Sequence, residues 1–216
     1  MSRILVLLLG ALAAVTVATL ILVAIPKALL SQVKPPAQLK PYTQEQARGR
    51  MVYIQNGCVY CHTQQVRDSA ITTDAQRGWG RPSVPADYYY DKPHLLGTMR
   101  TGPDLMNVGA RLPDPQWQLL HLYQPRALVP WSIMPSFPFL FTLKSRAAPG
   151  DMVVKVPAKF APVGKVVVAK PEAIALVNYL ISLNHTYPPP EEEQSAAVSE
   201  AAQPATQSPQ AQQGGR

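Results

Sequence analysis

Cys58 and Cys61 are the only two cysteines in the 216-residue chain, and they flank Val59-Tyr60 directly ahead of His62. Two thiols and an imidazole at this spacing, C-x-x-C-H, form the pattern that attaches a haem c. The thiols can add across two vinyl groups to give thioether bonds, and the adjacent imidazole can supply one axial ligand to the iron. Other chemistries of the pair fit less well. A disulfide across two intervening residues removes little chain entropy. A thioredoxin-like pair opens a helix that follows a strand, whereas here a helical pattern runs up to Cys58. A structural zinc needs four ligands, and only His62 lies at a useful spacing.

A second axial ligand is sought downstream. Met134 lies in Ile133-Met134-Pro135-Ser136-Phe137, a proline-rich segment far from the cysteines. A thioether is a soft ligand that favours ferrous iron, so a His/Met pair raises the reduction potential and suits electron transfer. Pro135 stiffens the loop. The rivals are Met99, Met106, Met152, His94 and His121, while Met51 is assigned to a packed helix face.

The elements that must position these groups leave their own marks. Thr43 with Gln46 is a capping box. After it Ala47, Met51 and Ile54 share a face, and Gly57 closes the helix. Pro171 suits a first helical position, with Ile174, Val177, Leu180 and Ile181 on one face and Asn184 near the end. A shorter helix is expected over Pro115 to Tyr123. Helices before the attachment site and at the domain's end resemble the cytochrome c fold, in which the first and last helices cross beside the haem. An iron-bound histidine donates its second ring nitrogen to an acceptor. In cytochromes c that acceptor is often a proline carbonyl in a G-P-x-L segment, which Gly102-Pro103-Asp104-Leu105 matches. The same dipeptide also marks a simple turn. Between Met152 and Lys170 the valine-rich pattern allows a small hairpin that Pro157 and Pro162 would confine to an edge.

The fold class expected is mainly α: a single N-terminal transmembrane helix plus a cytochrome c-like haem domain with long loops. Ile4 to Ile25 is an uncharged run of 22 residues, enough to cross a bilayer. No small-residue cleavage site follows convincingly, so it reads as a retained anchor, with a cleaved signal as the alternative. Arg3 precedes the span and Lys27, Lys34 and Lys40 follow it, which mildly opposes the positive-inside rule. Thioether formation takes place outside the bacterial cytoplasm and outweighs that count. The divisions expected are 1–28 anchor, 29–41 spacer, 42–187 monohaem cytochrome c domain, and 188–216 a disordered Pro/Glu/Ala/Gln-rich tail. Residues 41–187 carry 15 Lys and Arg against 9 Asp and Glu. No nucleic-acid-binding motif accompanies this basic balance. The cations suit haem propionates, acidic partner surfaces, lipid headgroups or plain solvent.

The order of motifs is distinctive: Cys58-x-x-Cys61-His62-Thr63-Gln64-Gln65, Tyr89-Tyr90-Asp91-x-Pro93, Gly97-x-x-Arg100-Thr101-Gly102-Pro103-Asp104-Leu105, His121-Leu122-Tyr123-x-Pro125-Arg126, Val129-Pro130 and Met134-Pro135. The whole resembles subunit II of the cbb3-type haem–copper oxidases, their membrane-anchored monohaem cytochrome c. The 40-residue spacing from His62 to Gly102, with its Tyr-Asp-x-Pro block, is the most specific part of the likeness. Thr63 stands where the family usually has Ser, and the valine-rich segment and tail depart from its pattern.

The resemblance implies one covalent haem c on Cys58 and Cys61, with iron held by His62 and Met134 and the Pro103 carbonyl behind His62. Arg67, Arg100 and Arg126 are candidates for propionate or partner contacts, and Trp131 for a pocket wall. It further implies electron relay from a dihaem cytochrome c subunit toward the b-type haem of a catalytic haem–copper subunit. The chain would be single-pass in the bacterial inner membrane, with its haem domain on the periplasmic face and no catalysis of its own. An anchored cytochrome shuttle, a nitric oxide reductase cytochrome subunit, a haem-based gas sensor and a peroxidase are the other readings. A sensor needs an open sixth position, and a peroxidase needs a distal acid–base residue that the sequence does not identify.

Overall fold

A computed structural model describes residues 2–189; the tail from residue 190 onward lies outside the described residues. The chain opens with a continuous helical rod, Arg3–Leu30, apolar enough to cross a membrane and buried nowhere against the rest of the protein. It comprises α1 (Arg3–Thr19), a π-helical turn at Leu20–Ala24 and α2 (Ile25–Leu30). The widened turn sits immediately before Pro26, whose ring crowds the carbonyl four residues back and which has no N–H to donate. The Ile25 N–H instead reaches the Leu20 carbonyl.

The domain that follows is mainly helical. Its framework is α3 (Gln44–Gln55), α4 (Val108–Arg111), α5 (Pro115–Tyr123) and α6 (Pro171–Ser182). The Thr43/Gln46 capping box forms in both directions, at 3.2 and 2.9 Å. Gly57 ends the α3 segment with φ of 68°. Pro171 opens α6 at its first turn.

The first and last helices of the domain cross in contact. At the crossing, a Cβ added to Gly49 would lie 1.8 Å from the Ala175 carbonyl oxygen, so only glycine allows this approach. Gly109 meets Ile181 equally closely, and its N–H donates to the Leu183 carbonyl at 2.9 Å. This crossing corrects the face expected for α3. Its buried residues are Gly49, Arg50, Val52 and Tyr53, while Ala47 and Met51 are exposed. The close approach at Gly49 selects the face, overriding a pattern drawn from apolar side chains alone. On α6 the burial is broader than one stripe: Ala173, Ala175, Leu176, Val177, Tyr179 and Leu180 are all buried, and Ile174 and Ile181 only partly so.

The valine-rich stretch forms the expected hairpin, but within a three-stranded antiparallel sheet whose central strand it supplies. β1 (Phe141–Lys144), β2 (Val153–Val154) and β3 (Val166–Ala169) lie in the order β1-β3-β2. Phe141 pairs with Ala169 and Val153 with Val168. Pro157 and Pro162 fall in the connection, so they do not interrupt a strand, and β3 is free to be central. The Gln116 side chain of α5 donates to the Val153 carbonyl at 2.9 Å and accepts from the Lys155 N–H at 3.2 Å, tying the sheet to α5.

The long segment between His62 and Gly102 folds back on the domain. Val66, Trp79, Tyr88 and Met106 make a second small core. Arg50 of α3 points into the Tyr-Asp-x-Pro block, forming an ion pair with Asp91 at 3.5 Å and donating to the Lys92 and Pro93 carbonyls across a cis peptide. The distinctive block therefore fastens the insert to the first helix of the domain.

Candidate functional site

Cys58 lies in the 3₁₀ turn Cys58–Tyr60 that follows α3, half-buried, while Cys61 and Tyr60 are exposed. Both thiols are free. Burial pushes the Cys58 thiol up to about 11, aided by the neighbouring Cys61 and opposed by a backbone hydrogen bond. A thiol held protonated at neutral pH is a poor nucleophile and a poor metal ligand until it loses that proton. No cluster of three His, Cys, Asp or Glu side chains suited to an ion occurs among the described residues.

His62 is fixed by its surroundings. Its Nδ1 lies 2.8 Å from the Pro103 carbonyl oxygen. A carbonyl can only accept, so Nδ1 carries the proton and Nε2 keeps its lone pair. The imidazole face rests on Gly102, where an added Cβ would fall 2.3 Å from His62 Cε1. Gly97, at φ of 71°, is pressed as closely on the His62 carbonyl. Burial lowers the His62 pKa, only partly countered by the Pro103 carbonyl and the Asp104 charge, which keeps the ring neutral and its lone pair available.

The backbone on either side extends this contact. Gly102 N–H donates to the Cys61 carbonyl at 2.9 Å, and Leu105 N–H to the Thr63 carbonyl at 2.8 Å. The Asp104 carboxylate accepts from the Thr63 hydroxyl and from Gln65 N–H at 2.8 Å. Segments 61–65 and 102–106 are thus zipped together around His62. The hydroxyl at position 63 does the bonding, so Thr replaces Ser here without chemical loss. Gln64 faces the other way: its side-chain oxygen accepts from Tyr179 of α6 at 3.0 Å and its carbonyl from Tyr88 at 2.9 Å.

Met134 is half-buried and borders the main core, as do Cys58, Val59 and Phe137. Its N–H donates to the Ser132 hydroxyl oxygen at 3.2 Å, and Phe137 N–H donates to the Leu122 carbonyl at 2.9 Å, hanging the loop on the end of α5. Among the rivals, Met106 is a core residue, while Met99, His94 and Met152 are exposed. His121 is different. It stacks on Trp117 at 4.8 Å and 16°, and its Nδ1 is buried without a hydrogen-bond partner. Burial, with a further push from His62, lowers its pKa to about 4.

The candidate arginines separate. Arg100 is absorbed in the fold: Nε donates to Thr63, one terminal nitrogen to Asp74 at 2.5 Å and the other to the Gln65 carbonyl at 2.7 Å. Arg67 contributes its backbone N–H to Asp74 and reaches the Thr98 carbonyl at 3.5 Å. Arg126 is exposed on the turn Pro125–Ala127. Trp131 stands 82% exposed. Sequence reasoning missed the Gly102 and Gly97 contacts and the Asp104 zipper, although a Gly-Pro-Asp run so far from the attachment site is the signal that carries them.

The donor set fits a haem: two thiols, a neutral imidazole with a free Nε2, and a soft sulfur bordering the same core. An apolar helix joined to a cytochrome c-like helical domain fits a membrane-anchored, haem-binding electron-transfer protein. The sequence matches the family described as the mono-haem subunit of cytochrome c oxidase, FixO, over residues 2–163, and the chain belongs to that family. A comparison with curated proteins finds no match. Membership makes it a haem-bearing electron-transfer subunit of a multi-subunit membrane oxidase.

Proposed function

We propose that this subunit relays electrons from a dihaem cytochrome c subunit toward the b-type haem of the catalytic haem–copper subunit, and makes or breaks no substrate bond itself. The observation that carries the reading is the His62–Pro103 contact at 2.8 Å, which leaves Nε2 free beside the two free thiols. A bound haem c would supply a one-electron couple, and the protein's part is to hold, orient and shield it. Cys58 and Cys61 would carry the thioethers, His62 and Met134 the axial positions, and Arg67 and Arg126 contacts to propionates or partners. Anchor 1–28, spacer 29–41 and domain 42–187 are the functional divisions, with the helix continuing to Leu30. The anchor would sit in lipid of the bacterial inner membrane with the domain on the periplasmic face.

Purification of the tagged chain from its native membranes in mild detergent, followed by a reduced-minus-oxidised spectrum, tests this. A c-type signal with accompanying b-type bands and oxygen uptake is expected. A c-type signal alone would make the chain an anchored shuttle.

His121 is a competitor for the sixth position, because its buried Nδ1 lacks a hydrogen-bond partner among the described residues. A sulfur–iron charge-transfer band in the oxidised protein assigns the position to Met134, and its absence would assign it to His121.

A further inference from the structure

We propose that Asp104 is a positioning residue for the haem iron: its buried carboxylate fixes the His62 side of the pocket through Thr63 and holds the reduction potential down. The proposal rests on the reading of His62 as an axial ligand.

Asp104 is fully buried. One carboxylate oxygen accepts from the Thr63 hydroxyl and the Gln65 N–H, and the other from the Met106 N–H at 2.8 Å. Its position in the chain gives these bonds their consequence. Asp104 follows Pro103, whose carbonyl accepts the hydrogen bond from His62 Nδ1, and Thr63 follows His62. The carboxylate therefore joins the residue after the ligand to the residue after the ligand's acceptor. With the Leu105–Thr63 backbone bond it closes a ring of contacts around the imidazole. Without it, the backbone bonds Gly102–Cys61 and Leu105–Thr63 would be left to hold the two segments around the ring.

An ionised carboxylate suits this place and an amide does not. Three donors converge on its two oxygens, and the Thr63 hydroxyl, which accepts from Arg100 Nε at 3.0 Å, must send its proton toward Asp104. An Asn would turn two N–H groups toward at least one of those donors and leave a buried group unpaired. Charge points the same way. Arg100 stands 3.9 Å from Asp104 but is more tightly held by Asp74, at 2.5 Å. The Arg111 guanidinium donates to the Asp104 backbone carbonyl. Removing the Asp104 charge leaves these cations in excess close to His62. Ferric haem carries one more positive charge than ferrous haem, so it loses stabilisation and the potential rises.

The test uses the full chain with its partner subunits in native membranes, comparing wild type, Asp104→Asn, Thr63→Val and Thr63→Ser. Covalent haem content, the low-spin electron paramagnetic resonance spectrum and a potentiometric titration of the c-type band are read together. In Asp104→Asn the ferric/ferrous equilibrium is expected to shift about tenfold toward ferrous, which for one electron is about +59 mV. Thr63→Val keeps the charge but cuts the bond, so it should change the anisotropy of the low-spin signal, and Thr63→Ser should restore it. An unchanged potential in haem-loaded Asp104→Asn overturns the proposal. If that variant loads no haem, the Thr63 pair decides, and wild-type spectra in Thr63→Val then overturn it. Failure of the underlying reading looks different: His62→Ala would keep the wild-type low-spin signal.

Discussion

On the His62 side of the site, segments 61–65 and 102–106 are bonded residue by residue, and glycines at 97 and 102 pack against His62 with no space for a side chain. On the Met134 side, a proline-rich loop hangs from the end of α5, and its neighbours Trp131 and Ile133 are 82% and 72% exposed. The contrast separates two jobs. A dense polar zipper sets one geometry and penalises every departure, because each broken bond leaves a buried group unsatisfied. A loop with few internal bonds can settle around a bulky group after that group is tethered. The fixed side would orient the iron, and the adjustable side would complete its coordination.

The largest effect should come from Gly102→Ala. The new methyl would lie 2.3 Å from His62 Cε1 and 2.8 Å from both ring nitrogens, so the ring has to leave the Pro103 carbonyl. Covalent haem with a low-spin spectrum should fall at least about tenfold, the scale of a 1.4 kcal/mol penalty or more. Normal haem loading in this variant would show that the zipper tolerates displacement. Met134→Ala should behave otherwise. Haem attachment persists and the fold is kept, but the sulfur–iron band disappears. The potential then falls by about 59 mV for each tenfold preference lost for ferrous iron. If Met134→Ala abolished haem attachment as Gly102→Ala should, the two sides would be equally rigid and the contrast would fail.

The same contrast explains what could be read from sequence. Cys58, Cys61 and His62 are local, and the haem c reading draws on nothing but their spacing. Pro103 was legible because a G-P-x-L segment is a compact pattern, even 41 residues from its partner. The caps at Thr43 and Pro171 were equally plain, since capping depends on neighbours in the chain. The buried face of α3 was not legible. It is chosen by Gly49 meeting the carbonyl of Ala175, a contact across more than a hundred residues that apolar periodicity cannot express. Strand β1 was missed for a related reason: Phe141–Lys144 becomes a strand only when β3 lies beside it. Arg100 was a candidate for propionate or partner contacts, and only the fold commits it to Asp74, Thr63 and Gln65.

Acid should reveal the polar side before the loop. Burial alone would raise the Asp74 carboxyl, but hydrogen bonds from Arg100, the Arg67 N–H and Thr72 outweigh it and hold the pKa below the ordinary aspartate value. A group whose folded pKa is depressed contributes stability that is complete above the unfolded value and lost as pH falls through the folded one. At neutral pH nothing changes. Below about pH 4 the denaturation midpoint should drop in wild type and drop less steeply in Asp74→Asn, which starts from a lower stability. Parallel slopes for the two proteins would remove Asp74 from the acid response.

Ser132→Ala should have the smallest effect, and for that reason it sharpens the comparison most. It deletes the hydroxyl that supports the Met134 N–H at 3.2 Å, a bond in a partly exposed loop where water can replace it. The expected cost is about 0.5 kcal/mol in chemical denaturation, with the sulfur–iron band and the potential unchanged. Thr63→Val also removes a single hydroxyl, but from the buried zipper, where no water can substitute and the Asp104 carboxylate loses a donor. The two variants delete one hydroxyl each, so a difference between them measures the environment and not the bond. Equal changes in the spectra of both would mean that the Met134 loop is held as tightly as the His62 strand.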